Sequence, residues 1–132
     1  MTPLPSTIQI DVRVDPDVSE VRIVHGLVTD ILRNLITNAI EAMPEGGKIT
    51  LGAHNAGRSV SVEVSDTGPG ISVEYQSKIF NLFFSTKKST GFGLWSARRN
   101  ALSHHGDLTV KCDSGQKGTT FTLLLPKAEE DR

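Results

Sequence analysis

Two short segments of the chain carry residue types that together could bind a magnesium nucleotide. The first is Asn34-Leu-Ile-Thr-Asn38-Ala, which lies in a long run of helical apolar spacing. Because Asn34 and Asn38 are four residues apart, both amides project from one polar stripe of the predicted helix, and Glu41 follows at the next repeat. Amide oxygens are hard ligands that Mg²⁺ accepts when phosphates and water complete its octahedron.

The second segment is Asp66-Thr-Gly-Pro-Gly-Ile71, which follows an alternating strand directly. The Asp66 carboxylate could accept a hydrogen bond from an exocyclic amine, and Gly68 and Gly70 would let a planar ring approach the backbone closely. Each segment alone also has a simpler interpretation, as solvated helix positions and as a plain turn. Taken together, they predict a magnesium-nucleotide site.

Further along the chain, a Thr-Gly-Xaa-Gly turn opens an amphipathic helix and comes shortly after two adjacent lysines. The first turn of a helix presents free N–H groups and partial positive charge, which suits a phosphate. The lysines could screen the same phosphates. The candidate phosphate-binding residues here are Lys87, Lys88, Thr90, Gly91, Phe92, Gly93 and Leu94.

These motifs, in this order, resemble the ATP-binding catalytic domain of two-component sensor histidine kinases, in the superfamily shared with gyrase, MutL and the ninety-kilodalton heat-shock chaperone. The resemblance runs from about Ile8 to Pro126, and the Ala-Met-Pro-Glu-Gly-Gly and Phe-Phe-Ser-Thr-Lys strings resemble the nitrogen-regulation branch. The matching segments are Asn34 to Ala42 (N box), Asp66 to Ile71 (first glycine box), Phe80 to Lys87 (F box) and Gly91 to Leu94 (second glycine box).

The resemblance implies ATP and Mg²⁺ as ligands and assigns roles to particular residues. Asp66 matches the carboxylate that selects adenine, and Asn38 matches the Mg²⁺ ligand. Thr119 matches a hydroxyl that completes adenine recognition, with a plain strand residue as the alternative. Asn34 stands where ATP-hydrolysing members carry a glutamate that activates water. Since an amide cannot act as a general base, Asn34 favours phosphoryl transfer over hydrolysis.

Two positions depart from the family pattern. Glu41 stands where many members have Lys or Arg, and it either polarises the incoming nucleophile or is a solvated helix residue. Phosphate neutralisation would then fall on Mg²⁺, the Gly91–Gly93 amides and the two lysines. Phe92 replaces the commoner leucine of the second glycine box and is expected to anchor the loop. Trp95 beside it is expected to be a docking or core residue.

Composition agrees with this interpretation. The length of 132 residues predicts one domain. With 22% charged residues and a formal net charge of −1, nothing favours binding to nucleic acid or to a membrane surface. A single cysteine, Cys112, argues against a disulfide framework and fits a reducing cytosol. We find no signal peptide and no apolar run long enough to cross a membrane, so the chain itself is not expected to cross one. The expected location is the cytoplasm, with a membrane anchor left open for the full-length kinase.

The periodicity predicts an α/β two-layer sandwich with one mixed sheet and helices on a single face. The resemblance adds the Bergerat ATP-binding fold, with about five strands. The predicted elements are a strand at Ile8–Val14, a helix from about Val18 to Met43, a hairpin of Lys48–Leu51 with Ser59–Val64, a short helix from Ser72 to near Phe80, a last helix after Gly93, and a second hairpin of Leu108–Cys112 with Thr119–Leu125.

The resemblance also implies partners that the chain itself does not contain. A histidine kinase phosphorylates a histidine on a helical dimerisation domain, which hands the phosphoryl group to a response regulator receiver domain. The chain's own histidines are not in the helical His-Glu or His-Asp context that such an acceptor needs. We therefore expect 1–132 to be a catalytic domain that is inactive in autophosphorylation when isolated. The four histidines are His25, His54, His104 and His105.

Two other functional classes stay open at this point. One is a stand-alone serine kinase resembling the anti-sigma-factor kinases, which are single domains of similar size. The other is a non-catalytic, ATP-gated interaction module.

Overall fold

The computed structural model describes residues 7–81, 93–112 and 117–128 and confirms the predicted order of elements and the α/β two-layer architecture. Within these residues, no helix is both long and apolar enough to cross a membrane. The elements are β1 Ile8–Val14, α1 His25–Ala42, β2 Gly47–Ala56, β3 Ser59–Asp66, α2 Val73–Gln76, α3 Gly93–Ser103, β4 Asp107–Lys111 and β5 Thr119–Pro126.

The five described strands form one mixed sheet in the order β1-β2-β3-β5-β4. Strands β1 and β2 are parallel and are joined through α1, whereas every other neighbouring pair is antiparallel. The antiparallel register sets Asp66, the last residue of β3, opposite Thr119, the first residue of β5. Two residues 53 positions apart in sequence, each singled out above for adenine recognition, are therefore direct neighbours.

Alternation of side chains along the strands separates a core face from a polar face. Phe121 and Leu123 of β5 are fully buried beneath the helices. On the opposite face, the Ser65 and Thr120 hydroxyls are hydrogen bonded across β3 and β5 at 2.9 Å. Both long helices pack on the first face, as predicted. Their buried contributions to the core are Val28, Ile31, Leu35 and Ala39 from α1 and Ala97 and Ala101 from α3.

The N-terminal bound predicted for the long helix was wrong, because α1 begins at His25 rather than at Val18. The preceding residues are extended, with Val21 bridged to Lys127 and the Ala128 N–H donating to the Glu20 carbonyl. This stretch is rich in β-branched residues, which favour extended backbone over helix. The apolar spacing upstream of His25 predicts a helix, but Val21 and Ile23 alternate as residues of a strand do.

The short helix predicted from Ser72 to near Phe80 is also shorter, since α2 ends at Gln76 and the Ser72 hydroxyl makes no capping hydrogen bond. Successive turns carry the chain onward through Phe80. The Phe80 ring meets the buried Phe121 ring edge-on, with centroids 6.1 Å apart. The segment is thus held on the core by this aromatic contact and by the buried Ile79, whose N–H donates to the Tyr75 carbonyl.

Helices α1 and α3 lie antiparallel and are connected at both ends of α3. At its C-terminal end, the buried His104 ring accepts the Val24 N–H at Nε2 (3.0 Å) and its Nδ1 is 2.8 Å from the Asn100 carbonyl. The ring is therefore the neutral tautomer that donates from Nδ1. His104 satisfies a backbone donor at the start of α1, where no side-chain cap is present.

Candidate functional site

The polar stripe of α1 lies beside its buried face. Asn34 and Asn38 are both half-buried, next to the core positions Leu35 and Ala39. The helix therefore presents both amides on one side, as the spacing predicts. Glu41 is exposed in the last turn of the same helix.

The N-terminus of α3 lies against the Asn34 side chain. A Cβ added at Gly93, the first residue of α3, would be 3.2 Å from the Asn34 Oδ1. Leu94 follows and packs on the core, which orients the first turn of α3 toward α1. The Asn34 amide thus sits at a helix end that carries free N–H groups and partial positive charge.

The Asp66 carboxylate is buried at the end of β3, with 8% of the residue exposed. Its Oδ1 accepts the Gly68 N–H at 2.9 Å, which closes a tight turn directly after the strand. Gly70 has a φ of 82°, in the left-handed region, so a glycine is suited to that position. The glycine loop is thus a turn that closes around the Asp66 carboxylate, the group predicted to select adenine.

This loop also packs against the C-terminal end of α1. A Cβ at Gly68 would be 3.3 Å from the Ala42 carbonyl and from the Met43 Cγ. The Thr67 hydroxyl accepts the Lys48 N–H at 3.0 Å and donates to the Met43 Sδ at 3.6 Å. The glycine loop is therefore in contact with the C-terminal end of α1, the helix that carries Asn34 and Asn38.

Gly118 joins the glycine loop to β5. Its N–H donates to the Gly68 carbonyl at 2.7 Å, and its φ is 107°. A Cβ at this position would be 2.7 Å from the Asp66 carbonyl oxygen, a distance that no side chain tolerates. Gly118 is a site residue that the sequence motifs do not indicate, because its contact with Asp66 depends on strand pairing that sequence spacing does not reveal.

Cys112 is a second residue whose place in the site the sequence did not indicate. The Ile71 N–H points to its Sγ at 3.3 Å, and the same sulfur lies 3.3 Å from the Thr119 hydroxyl, to which it donates. The half-buried thiol thus bridges the end of the glycine loop and the start of β5. No signal in the sequence spacing ties Cys112 to Ile71.

Five of the predicted site residues lie outside the described part of the chain. The stretch 82–92 lies outside the described residues, and this includes most of the F box and the start of the second glycine box. Asp66, Gly68, Gly70, Ile71 and Thr119 come together at one end of α1, and Asn34, Gly93 and Leu94 come together near its middle. The residues outside the described part are Lys87, Lys88, Thr90, Gly91 and Phe92.

Comparison with known proteins identifies relatives of this site and fold. Residues 23–129 match the family described as histidine kinase-, DNA gyrase B- and HSP90-like ATPase. The sensor histidine kinase ZraS of Escherichia coli (strain K12) is 36% identical over 117 residues, covering 88% of the chain and 23% of that protein. The C4-dicarboxylate transport sensor protein DctS of Rhodobacter capsulatus is 40% identical over 109 residues, covering 79% and 16%. The chain thus spans less than a quarter of either relative.

Solved structures resemble the whole described fold. The nucleotide-free catalytic domain of histidine kinase ThkA superposes with a TM-score of 0.81 at 33% identity, covering 92% of this chain and 81% of that one. Full-length ShkA in complex with AMPPNP superposes with a TM-score of 0.83 at 27% identity, covering 95% and 27%.

The close approach at Gly118 predicts a specific cost of adding a methyl group. We expect Gly118→Ala to lower the free energy of unfolding by about 1–3 kcal/mol, because both the positive φ and the Asp66 carbonyl oppose it. Gly57→Ala is the matched control, with a φ of 64° but no atom within 4 Å of the added Cβ. Urea unfolding of both variants measures the difference, and equal losses would contradict the proposed contact.

Proposed function

Because the chain belongs to the histidine kinase-, DNA gyrase B- and HSP90-like ATPase family and is an ATP-binding catalytic domain of the sensor histidine kinase type, we propose that it transfers the γ-phosphoryl group of ATP to a histidine on a separate helical dimerisation domain. The acceptor imidazole nitrogen bonds to the γ-phosphorus, the bond to the bridging oxygen breaks, and ADP leaves.

The observation that carries this proposal is that α1 meets two different polar surfaces along one side. Near its C-terminal end lies the buried Asp66 turn, and near its middle lies the N-terminus of α3 beside Asn34. Residues 34 and 42 are separated by about 12 Å along the helix axis. A nucleotide lying along α1 therefore has its base at the Asp66 end and its phosphates at the α3 end.

At the base end, Asp66 accepts the adenine amine while its other contacts hold the turn in place. The carbonyl that guanine presents at the same position would face a carboxylate and be rejected. Thr119 lies directly opposite Asp66 and supplies a hydroxyl. The backbone at Gly68 and Gly70 leaves room for the ring, and Ile71 ends the loop.

At the phosphate end, Mg²⁺ arrives with ATP as part of the substrate. The described residues contain no cluster of three or more His, Cys, Asp or Glu side chains suited to a metal. An ion held chiefly by phosphates and water, with Asn38 as a single protein ligand, fits that donor set. Asn34 lacks the basicity to activate water, so the bound phosphoryl group is kept for the histidine.

Other groups at the phosphate end complete the proposal. The amides of Gly91–Gly93 and the first turn of α3 at Leu94 bind phosphate oxygens, with Thr90 and Phe92 shaping the loop. Lys87 and Lys88 supply positive charge.

Glu41 lies at the base end of the proposed site. It is exposed in the last turn of α1, which contains no basic residue, and it is about 10 Å from Asn34 along the helix axis. A carboxylate there is too far from the α3 end to orient an imidazole at the γ-phosphorus, so we favour the alternative in which Glu41 is a solvated helix residue.

The dimerisation domain is proposed to dock on the exposed side of α3. Leu102 is 50% exposed there, and the Arg99 guanidinium lies over the Trp95 ring at 5.0 Å. Arg98 lies 5.4 Å over the Phe80 ring. This mixed apolar and cationic surface continues from the phosphate end of α3, so a docked helix would present its histidine to ATP.

A response regulator receiver domain then takes the phosphoryl group, and the reaction occurs in the cytoplasm, where ATP is available.

Base selection is tested by Asp66→Asn. The amide presents a donor as well as an acceptor, so we expect ATP affinity to fall by about 1–3 kcal/mol and the preference over GTP to narrow. Asp30→Asn, on the exposed side of α1, is the control for the loss of one charge. Calorimetric titration with ATP and GTP measures both quantities, and equal binding of the two nucleotides to the wild type would exclude adenine selection.

Magnesium ligation is tested by Asn38→Ala. We expect ATP binding to become insensitive to the presence of Mg²⁺, since the oxygen that ties the ion to the protein is gone. Thr37→Ala changes the exposed neighbouring position and should keep the wild-type dependence. Titrations with Mg²⁺ and with EDTA that still differ in Asn38→Ala as they do in the wild type would remove Asn38 as the ligand.

Transfer itself is tested by mixing the chain with the dimerisation domain of its parent kinase and labelled ATP. We expect acid-labile, base-stable phosphate on the partner and none on the four histidines of the chain, which turns ATP over slowly when alone. Leu102→Asp should bind ATP normally but transfer at least about tenfold more slowly, whereas Thr109→Asp, on exposed β4, should not. Acid-stable phosphate would instead indicate a serine kinase.

A further inference from the structure

Strand β1 leaves one of its edges open. It lies at the end of the sheet and pairs with β2 only, over its whole length from Ile8 to Val14. Among the described residues, no other strand pairs with it. An open edge carries a row of backbone donors and acceptors that can pair with another chain.

The apolar side of β1 is exposed as well. Ile10, Val12 and Val14 alternate along the strand on the face that the helices cover elsewhere, and they are 39%, 60% and 57% exposed. Ile49, which pairs with Ile10 on the neighbouring strand, is completely buried. Apart from Ile8, which is buried in the core, the apolar side of β1 is therefore left exposed, in a strand whose sequence alternation predicts burial on one side.

The backbone hydrogen bonds show which residues face the open edge. The Asp15 N–H donates to the Ala53 carbonyl, and the Thr7 carbonyl accepts from the Gly47 N–H. In a parallel pair, alternate residues direct both backbone groups to the neighbour, so the odd-numbered residues of β1 bond to β2. The even-numbered residues, including Val12, direct their N–H and C=O groups outward.

We propose that this edge pairs with β1 of a second copy of the chain, antiparallel and with the two-fold axis at Val12. In that register, Val12 lies opposite its own copy and Ile10 lies opposite Val14, which joins the two exposed apolar stripes. Asp11 lies opposite Arg13 on the other face, twice by symmetry. The segment Ile10-Asp11-Val12-Arg13-Val14 is thus self-complementary in polarity, charge and hydrogen-bonding direction.

Neighbouring registers lack this complementarity. With the axis at Asp11, two carboxylates would lie directly opposite each other, and with the axis at Arg13, two guanidinium groups would do so. Like charges in direct opposition destabilise a strand pair. Among these three registers, charge therefore favours Val12 as the centre, although the outward backbone groups alone would permit all of them.

Pairing of the two β1 strands would replace the ion pair between Asp11 and Arg13 within one chain by ion pairs between the two copies, so no charge would be buried without a partner. In the single chain, the Arg13 Nε lies 2.8 Å from the Asp11 Oδ2, and the Lys48 Nζ lies 3.9 Å from the same oxygen. Each carboxylate would keep Lys48 and gain an arginine from the other copy. About six main-chain hydrogen bonds would form across the axis, and the two sheets would join into one. The interface is small, so the dimer should be weak and concentration-dependent.

Sedimentation equilibrium of the 132-residue chain at low salt tests the register through charge reversal. We expect the wild type to dimerise reversibly, and Arg13→Asp and Asp11→Arg each to weaken dimerisation roughly tenfold. Mixed in equal amounts, the two variants should form heterodimers, because the two acidic residues of one then oppose the two basic residues of the other. Arg22→Asp, an equal charge change at an exposed position outside β1, should dimerise like the wild type.

Thermal unfolding of each variant separates loss of pairing from loss of fold, since all three substitutions are at exposed or half-exposed positions. A chain that remains monomeric to about 1 mM would overturn the proposal. So would a dimer that survives Arg13→Asp unchanged, or variants that fail to pair when mixed. Hydrogen exchange gives a further check. If the β1 amides are protected only in the longer parent protein, another segment of that protein covers the edge and the proposal is overturned. None of these results depends on nucleotide binding, so the proposal stands or falls separately from the kinase activity.

Discussion

The rest of the site depends on one close approach, in which the turn after β3 is held between the end of α1 and the start of β5. The Gly118 N–H bonds to the Gly68 carbonyl, Gly68 rests on the Ala42 carbonyl, and Asp66 is buried between them. An added Cβ would be 2.7 Å from the Asp66 carbonyl oxygen at Gly118, but 3.3 Å from the Ala42 carbonyl at Gly68. Packing therefore requires a glycine at Gly118, together with its positive φ, and favours one at Gly68. The carboxylate is consequently fixed before any ligand arrives, and in the proposed base site a preorganised acceptor would discriminate between bases without the cost of ordering itself.

The sequence predicted the elements of this arrangement better than the contacts among them. Strand β1 begins and ends where its alternation predicts, and the helical spacing from Val28 to Met43 identified α1. The start of that helix was misplaced, because periodicity over a few residues does not separate a helix from a β-branched extended segment. Motif order associated Asp66 with Asn38, but the contacts of Gly118 and Cys112 arise from strand register and from a loop returning across the sheet. Such long-range geometry leaves no trace in local spacing.

Family membership establishes what kind of domain this is, and the contacts of individual residues add detail to the site. Cys112 places a sulfur between the Ile71 N–H and the Thr119 hydroxyl, so it links the end of the glycine loop to the start of β5. The resemblance to the nitrogen-regulation branch stays a prediction.

The double attachment of α3 to α1 has a mechanical consequence. Val24 is tied to His104 at one end, and Asn34 lies against Gly93 at the other, so ten residues of α1 are matched by the length of α3. Together they span about 15 Å. Both helices also pack on the sheet, through residues such as Leu35 and Ala97, so they move only with the rest of the domain. If a partner docks at Leu102 as proposed, a tilt of the domain by about 10° about that contact would displace the proposed phosphate end by roughly 3 Å, the difference between an atom in line for attack and one out of reach.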